Sequence, residues 1–405
     1  MIDIDLCSGA GGLALGLKAA GFSPFEFYEM DKHACLTLQY NMDSMTPTFD
    51  GHVHKGADIT KIDWRDLKRP VRLLACGVPC QPFSFAGKHL AEDDKRNLFP
   101  ATLRVVRELR PAAVLIENVQ GLVRPDFKPY FDYVIRQLKY PSVHPNDGEP
   151  WTIHDLRLRH IEAAGGGESE YLVNCKKVNA ADYGVPQNRH RVFVVATRAG
   201  IPRFEFPPST HSRASLLRTK ADGTYWERHG ISKPESPFVV GSDPQLDGME
   251  DGQRPWVTVR DAIKKLPEPT PIEDGAWMNH WCISGARTYA GHRGSTLDWP
   301  SKTIKAGVHG VPGGENIVVT DNGSVRYFTM RELACLQTFP LEHYFIGARL
   351  HITRQIGNAV PCLLAEKISR SLFDLLDAAI GDSRLNCRRD QAYLSRAVAE
   401  VRVGL

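Results

Sequence analysis

The sequence predicts an α/β protein: a doubly wound, mostly parallel sheet with a second, smaller and irregular domain. Three observations carry that expectation. Short apolar runs alternate with amphipathic ones through the first half of the chain, a glycine-rich turn follows the first run, and after about Arg198 prolines replace the rhythm.

Ile2, Ile4 and Leu6 alternate with acids as a strand does, and "CSGAGGLALGLKAAGF" follows as glycine turn and helix. Leu13, Leu15, Leu17 and Ala20 suit a helix buried over much of its surface, capped by Gly21. "PFEFYEM" reads as a second strand and "DKHACLTLQYNM" as a second helix, completing a strand–helix–strand unit. The alternation continues through strand "VRLLACG", helix "FPATLRVVREL", strand "AAVLIENV" and helix "YFDYVIRQL", and the apolar strand "RVFVVAT" joins them. Between Pro141 and Gly167 lies a polar insertion of surface loops, with one short helix around "IHDLRLRHIEAA".

These patterns divide the chain into a first domain at 1–198 (with the insertion at about 141–167) and a second at 199–325. A segment at 326–380 returns to the first domain, and a polar tail fills 381–405. Within the second domain, Pro234–Ala276 is acidic, whereas Trp277–Gly310 holds Arg287, Arg293, Lys302 and Lys305 against the single acid Asp298. The basic segment also carries Trp277, Trp281, Tyr289 and Trp299, which suit either groove contacts or a small core.

At 405 residues with 42% hydrophobic and 24% charged residues, the chain has the composition of a soluble globular protein with several cores. A net charge of +3 argues for no class of partner. Nine cysteines, scattered singly, speak against a disulfide framework and for a reducing cytoplasm. Cys76 and Cys80 lack the second Cys/His pair of a zinc site, so no metal is expected. No stretch approaches the ~20 apolar residues of a membrane span, and the first residues enter a strand without a basic leader.

Four motifs fall at the ends of predicted strands. "GAGGLA", Gly9 to Ala14, matches G-x-G-x-x-A, with Glu29 and Asp31 about 20 residues on, where an acid meets a ribose hydroxyl. Dinucleotides and S-adenosylmethionine both use such a turn, so the motif specifies an adenosine-type cofactor and no more. "PCQ" holds Cys80 on a stiff loop between Pro79 and Pro82. "ENV" carries Glu117, and "QNRHR" carries Arg189 and Arg191. Taken one at a time, these are a buried thiol, a helix-capping acid and a solvated arginine pair. Together they supply a thiol nucleophile, an acid and guanidinium donors around a planar substrate.

"DLCSGAGGL", "GVPCQPFSFAGK", "IENVQGL", "YGVPQNRHRVFVV", "RELACLQTFP" and "QIGNAVP" resemble, in order, the motifs of the DNA (cytosine-5) methyltransferases from Asp3 to about Pro361. The resemblance implies that Cys80 adds to carbon 6 of a flipped cytosine, which makes carbon 5 enamine-like and able to accept a methyl group. Glu117 would meet ring N3 and the exocyclic amine, and Arg191 with Arg189 would hold O2. S-adenosylmethionine is the implied cofactor. Gly9 and Gly11 would form its turn, Glu29 take the ribose, Met30 and Ile59 pack on the adenine and Asp58 accept from the adenine amine. Leu98, Asn358 and Val360 would complete the pocket. Cys7 and Met30 stand where the family usually has phenylalanine and tryptophan, which removes apolar contact with the cofactor.

The stretch after Ser84, "SFAGKHLAEDDKRNLF", has the look of a lid, and the resemblance places Ser84 and Lys88 on its DNA side. Thr303 in "SKTIKAG" would support the DNA strand, and Arg287 and Arg293 are candidates for reading guanine. The implied partner is double-stranded DNA, for a cytoplasmic bacterial modification methylase acting as a monomer and often paired with a restriction endonuclease. A nicotinamide dehydrogenase has no use for "PCQ", "ENV" and "QNRHR", and a non-catalytic regulator none for Cys80. A tRNA cytosine-5 methyltransferase is the alternative; its Cys-Phe-Thr signature has only "YFT", Tyr327 to Thr329, as a partial match here.

Overall fold

The computed structural model describes residues 1–44, 51–78, 97–164, 169–234, 252–271, 278–288, 293–306 and 316–380. The first domain runs β1 (Ile2–Leu6), α1 (Gly12–Ala20), β2 (Phe25–Glu29), α2 (Lys32–Ser44), β3 (Gly51–Lys55), β4 (Val71–Gly77), α3 (Phe99–Leu109), β5 (Ala113–Val119), α4 (Lys128–Lys139), α5 (Trp151–Ala163), β6 (Tyr171–Asn179) and β7 (His190–Arg198). Shorter elements follow: β8 (His211–Ser212), α6 (Arg213–Asp222), α7 (Thr224–His229), β9 (Arg254–Pro255), α8 (Val259–Ile263), β10 (Ser295–Thr296), β11 (Ile317–Val319) and β12 (Val325–Tyr327). The chain closes with α9 (Met330–Leu336), α10 (Arg349–Asn358) and a helix α11 over 362–380.

Seven strands form one sheet in the order β3-β2-β1-β4-β5-β7-β6. The first five are parallel, and β7 runs antiparallel to both β5 and β6. Its inner strands are apolar on both sides because both faces are covered. Leu74 and Cys76 of β4 enter one core while Leu73 and Ala75 enter the other. The sequence reading places β7 among the strands but does not reveal its reversed direction, and it misses β3 and β6. Both missed strands lie at the sheet's edges, where one-sided burial leaves His52, Cys175, Lys176 and Lys177 exposed and no apolar run to see.

The last helices return to the first domain. Leu364, Ala365, Ile368, Leu372 and Leu376 of α11 share a core with Leu13 and Leu17 of α1. Two glycines permit the approach: a Cβ on Gly12 would fall 2.5 Å from the Val360 carbonyl, and one on Gly16 would fall 2.4 Å from the Ala365 Cβ. The insertion holds the helix its sequence suggests, α5, displaced by about two residues at its start. It docks on α4 through Tyr133 Oη and His154 Nδ1 at 2.8 Å and through Arg136 to Asp155 at 2.6 and 3.0 Å.

Within the region expected as a second domain, a small separate core forms around Leu216, Tyr225 and Trp226, against which Trp256 and Trp299 pack. The buried Lys220 ammonium lies 4.0 Å from the Trp299 ring centroid, so this tryptophan serves the domain's interior. Trp277 and Tyr289 lie outside the described residues. Among the described residues no helix is long and apolar enough to cross a membrane.

Candidate active site

The carboxyl ends of β1, β2, β4 and β5 open into a cleft of about 330 Å³. It sits at the point where strand order reverses, between β1 and β4, because α1 and α3, the helices that follow those two strands, pack on opposite faces of the sheet. The turn after β1 forms its floor. Cys7, Gly9 and Gly11 all adopt left-handed backbone, at φ 55, 56 and 87, and α1 starts at Gly12. Among the described residues nothing lies within 4 Å of where a Gly9 Cβ would stand, so the cleft reaches the backbone there.

Glu29 staples this turn to the end of β2. One carboxylate oxygen accepts from the Gly9 amide at 2.7 Å, the other from Met30 and Asp31 at 2.8 and 2.7 Å. Burial pushes the Glu29 carboxyl up, against the pull of those three amides. Asp58 borders the cleft and accepts from the Thr60 hydroxyl and amide at 2.6 and 3.0 Å, which hold its carboxyl below the usual range. Cys7, Met30, Ile59, Leu98, Asn358 and Val360 also line the cleft. Gly11 does not line it; its left-handed conformation makes the turn. The Cys7 thiol is raised well above its ordinary range, by its hydrogen bond with Cys76 and then by burial, so it rests there as a neutral thiol.

At the far side, β5 and β7 bring Glu117 and Arg191 together. Val119 pairs with Arg191 across the antiparallel ladder, which puts Glu117 diagonally opposite the arginine on the same face. Arg191 Nε lies 2.8 Å from Glu117 Oε1, with only 11% and 8% of the two side chains exposed. Arg189, two residues back, borders the cleft with 1% of its surface exposed. Its guanidinium is turned toward backbone carbonyls rather than into open space. Gly77 and Val78 line the cleft where β4 ends. Cys80, Ser84 and Lys88 lie outside the described residues. Arg287 and Arg293 are exposed and away from the cleft, and Thr303 is half-buried, its hydroxyl donating to the Asn188 carbonyl at 2.7 Å.

The model of the C-5 cytosine-specific DNA methylases matches residues 1–140 and 164–374, and its internal gap holds α5. The chain belongs to that family. This methylase is 29% identical over 382 residues to the Type II methyltransferase M.NgoMIV of Neisseria gonorrhoeae, covering 92% of this chain and 97% of that one. It is 30% identical to M.PspPI of a Psychrobacter strain, over 94% and 80% of the two chains. Among solved structures, the Dnmt2 methyltransferase of S. pombe shares the fold at a TM-score of 0.53 and 17% identity, over 93% of this chain and 99% of that one.

Three residues of the methylase's cleft escape motif reading. Asp5, on β1, is fully buried at the cleft floor, and neither carboxylate oxygen has a hydrogen-bond partner among the described residues. Burial and then the Glu29 charge push its carboxyl well above the ordinary range. Asn118 donates to the Val78 carbonyl at 3.3 Å and accepts from the Val119 amide at 2.8 Å, tying the end of β5 to the residue that follows β4, two before Cys80 in the sequence. Arg354, one helical turn before Asn358 on α10, puts an exposed cation on the cleft's rim. Asn118 stands inside the quoted "ENV" and Asp5 opens the quoted "DLCSGAGGL", but only tertiary contacts separate an unpaired buried acid from a paired one; Arg354 lies just outside "QIGNAVP" and gives no sequence signal.

Proposed function

We propose that the methylase uses S-adenosylmethionine to methylate carbon 5 of one cytosine within a specific double-stranded DNA sequence, with Cys80 as nucleophile. The observation that carries this reading is the buried Glu117–Arg191 pair at one side of a cleft whose other side is the Gly9–Glu29 cradle. The residues suit the cofactor. A glycine turn is open to backbone approach, Glu29 retains lone pairs for ribose hydroxyls, and the unpartnered Asp5 carboxylate can take a cationic group. Bound there, S-adenosylmethionine supplies an electrophilic methyl group.

The target base must leave the duplex to enter the cleft. Cys80 as thiolate adds to carbon 6 and breaks the ring's aromatic delocalisation, so carbon 5 becomes enamine-like and nucleophilic. Arg191 offers O2 a fixed cationic donor, and Glu117 meets N3 and the exocyclic amine, so the electron density displaced by the thiolate is held in the ring. Loss of the carbon 5 proton to water or hydroxide then expels Cys80. Arg287, Arg293, Lys302 and Lys305 stand exposed on the second domain and suit phosphate and groove contacts. The family's Type II relatives make a bacterial, cytoplasmic modification enzyme paired with a restriction endonuclease, and acting as a monomer, the fitting biological setting.

The test is expression in a host without cytosine methylation, followed by bisulfite sequencing of its genome. Protected cytosines in one short context are expected, and Cys80→Ala should abolish them while leaving fold and cofactor binding intact. An unmethylated genome with methylated tRNA would overturn the DNA reading, and near-wild-type protection by Cys80→Ala would overturn the mechanism.

A further inference from the structure

Arg189 is read from the motifs as a partner of Arg191 on the substrate, yet its contacts run elsewhere. Its Nη2 donates to the Gly357 carbonyl at 2.8 Å and the Ala359 carbonyl at 3.0 Å. Its Nη1 reaches the Ile304 carbonyl at 3.4 Å and the Gln187 side-chain oxygen at 3.5 Å. Gly357 and Ala359 flank Asn358 at the carboxyl end of α10, where helix carbonyls lack intrahelical donors and the helix dipole is negative. A buried guanidinium is suited to that end, and its planar fork can serve several carbonyls at once.

Two glutamines extend the contacts. Gln337 donates to the Ile356 carbonyl at 2.6 Å and the Ala359 carbonyl at 3.1 Å. Gln187 donates to Gln337 Oε1 at 3.0 Å and accepts from the Ile304 amide at 3.1 Å. The segments so joined are already in close contact, since a Cβ on Gly357 would fall 2.7 Å from the backbone of Ala306.

We propose that Arg189 is a positioning residue that, with Gln187 and Gln337, clamps the Gly357–Val360 turn and the Ser301–Ile304 segment onto the strand carrying Arg191. The inference rests on the cofactor reading above, since Asn358 and Val360 matter through the cofactor. Arg189 acts through that turn, and the base is met by Arg191. Its arginine fork therefore sets how well the cofactor is held before any DNA arrives.

Binding of S-adenosylhomocysteine in the absence of DNA separates the two roles. Arg189→Met should weaken it about tenfold or more, as loss of charged hydrogen bonds to the turn requires, while kcat at saturating cofactor and DNA stays within a few-fold of wild type. Arg189→Lys, keeping the charge and one donor, should recover part of the affinity. A general loss of structure would lower the melting temperature without that split between affinity and kcat. Unchanged affinity with a collapsed kcat would overturn the proposal and assign the remaining guanidinium donor, Nε, to the base. If Arg189→Met does not fold, Gln337→Met tests the same turn: weakened binding is expected, and unchanged binding overturns the clamp. A wild-type chain that binds no S-adenosylhomocysteine at all, while folded, would sink the cofactor reading and the clamp with it.

Discussion

Arg191 Nε stands 2.8 Å from Glu117 Oε1, and both side chains are almost wholly removed from water. A buried pair of this kind is costly to break by halves, because the surviving charge is left uncompensated. Glu117→Ala should therefore lower stability by about 3 kcal/mol and transfer by ~10²-fold or more. The double variant Glu117→Ala/Arg191→Ala should be less destabilised than the sum of the singles and equally inactive. Urea titrations alongside a methyl-transfer assay check both parts; strict additivity in stability would mean that the pair is not coupled.

Asp5 should give the proposed cofactor site a pH dependence. Its carboxyl is raised well above the ordinary range by burial and by Glu29, and a cationic ligand favours its ionised form. Binding below the raised value must release a proton, so affinity for S-adenosylmethionine should climb with pH until Asp5 is ionised without help. Asp5→Asn should bind more weakly and flatten that climb. Calorimetry in two buffers of different ionisation enthalpy reads the released proton directly, and no difference between wild type and Asp5→Asn would remove Asp5 from the site.

Gly16 is a test of close packing. In an exposed helix interior, replacing glycine by alanine gains about 1 kcal/mol. Here the new methyl would meet the Ala365 Cβ at 2.4 Å and the Cys362 carbonyl at 2.6 Å. Gly16→Ala should instead destabilise by about 1–3 kcal/mol as α11 is forced off α1. A raised melting temperature would show that the two helices can part without cost.

His343 sets a limit on acid stability. It is fully buried in a three-ring cluster with Phe339 and Phe345, each ring centroid 4.9 Å from its own, and burial pulls its imidazole down to about 3. Because the unfolded chain takes up that proton near pH 6.5 and the folded one only near pH 3, stability is complete above pH 6.5 and falls as pH drops through this window. The slope from this group is about 1.4 kcal/mol per pH unit. His343→Leu should reduce the slope of stability against pH between 6.5 and 3 by that amount, measured by urea denaturation at stepped pH; an unchanged slope would refute the assignment.

Much of this was legible in the sequence, and the parts that were not share a physical cause. The inner strands declare themselves because both faces are buried, so "VRLLACG" and "AAVLIENV" are apolar throughout. The edge strands at His52 and at Cys175–Lys177 carry no such run, and the reversed direction of β7 leaves no trace in its composition. The family resemblance implies one site for the glycine turn, Glu29, Asp58, Glu117, Arg191, Asn358 and Val360, and Gly9 and those six residues line one cleft. The buried and unpartnered state of Asp5, the tie from Asn118 to Val78 and the inward turn of Arg189 could not.

By itself, then, the sequence determined the chemistry on offer: a thiol, an acid, two guanidiniums and a backbone turn open to a ligand, each at the end of a strand. The tertiary structure decided how those groups divide the work. Burial and distance are properties of the packed chain, and they alone separate Arg191, ion-paired with Glu117 beside the cleft, from Arg189, two residues earlier, just before that strand begins, and occupied with the carbonyls of another segment.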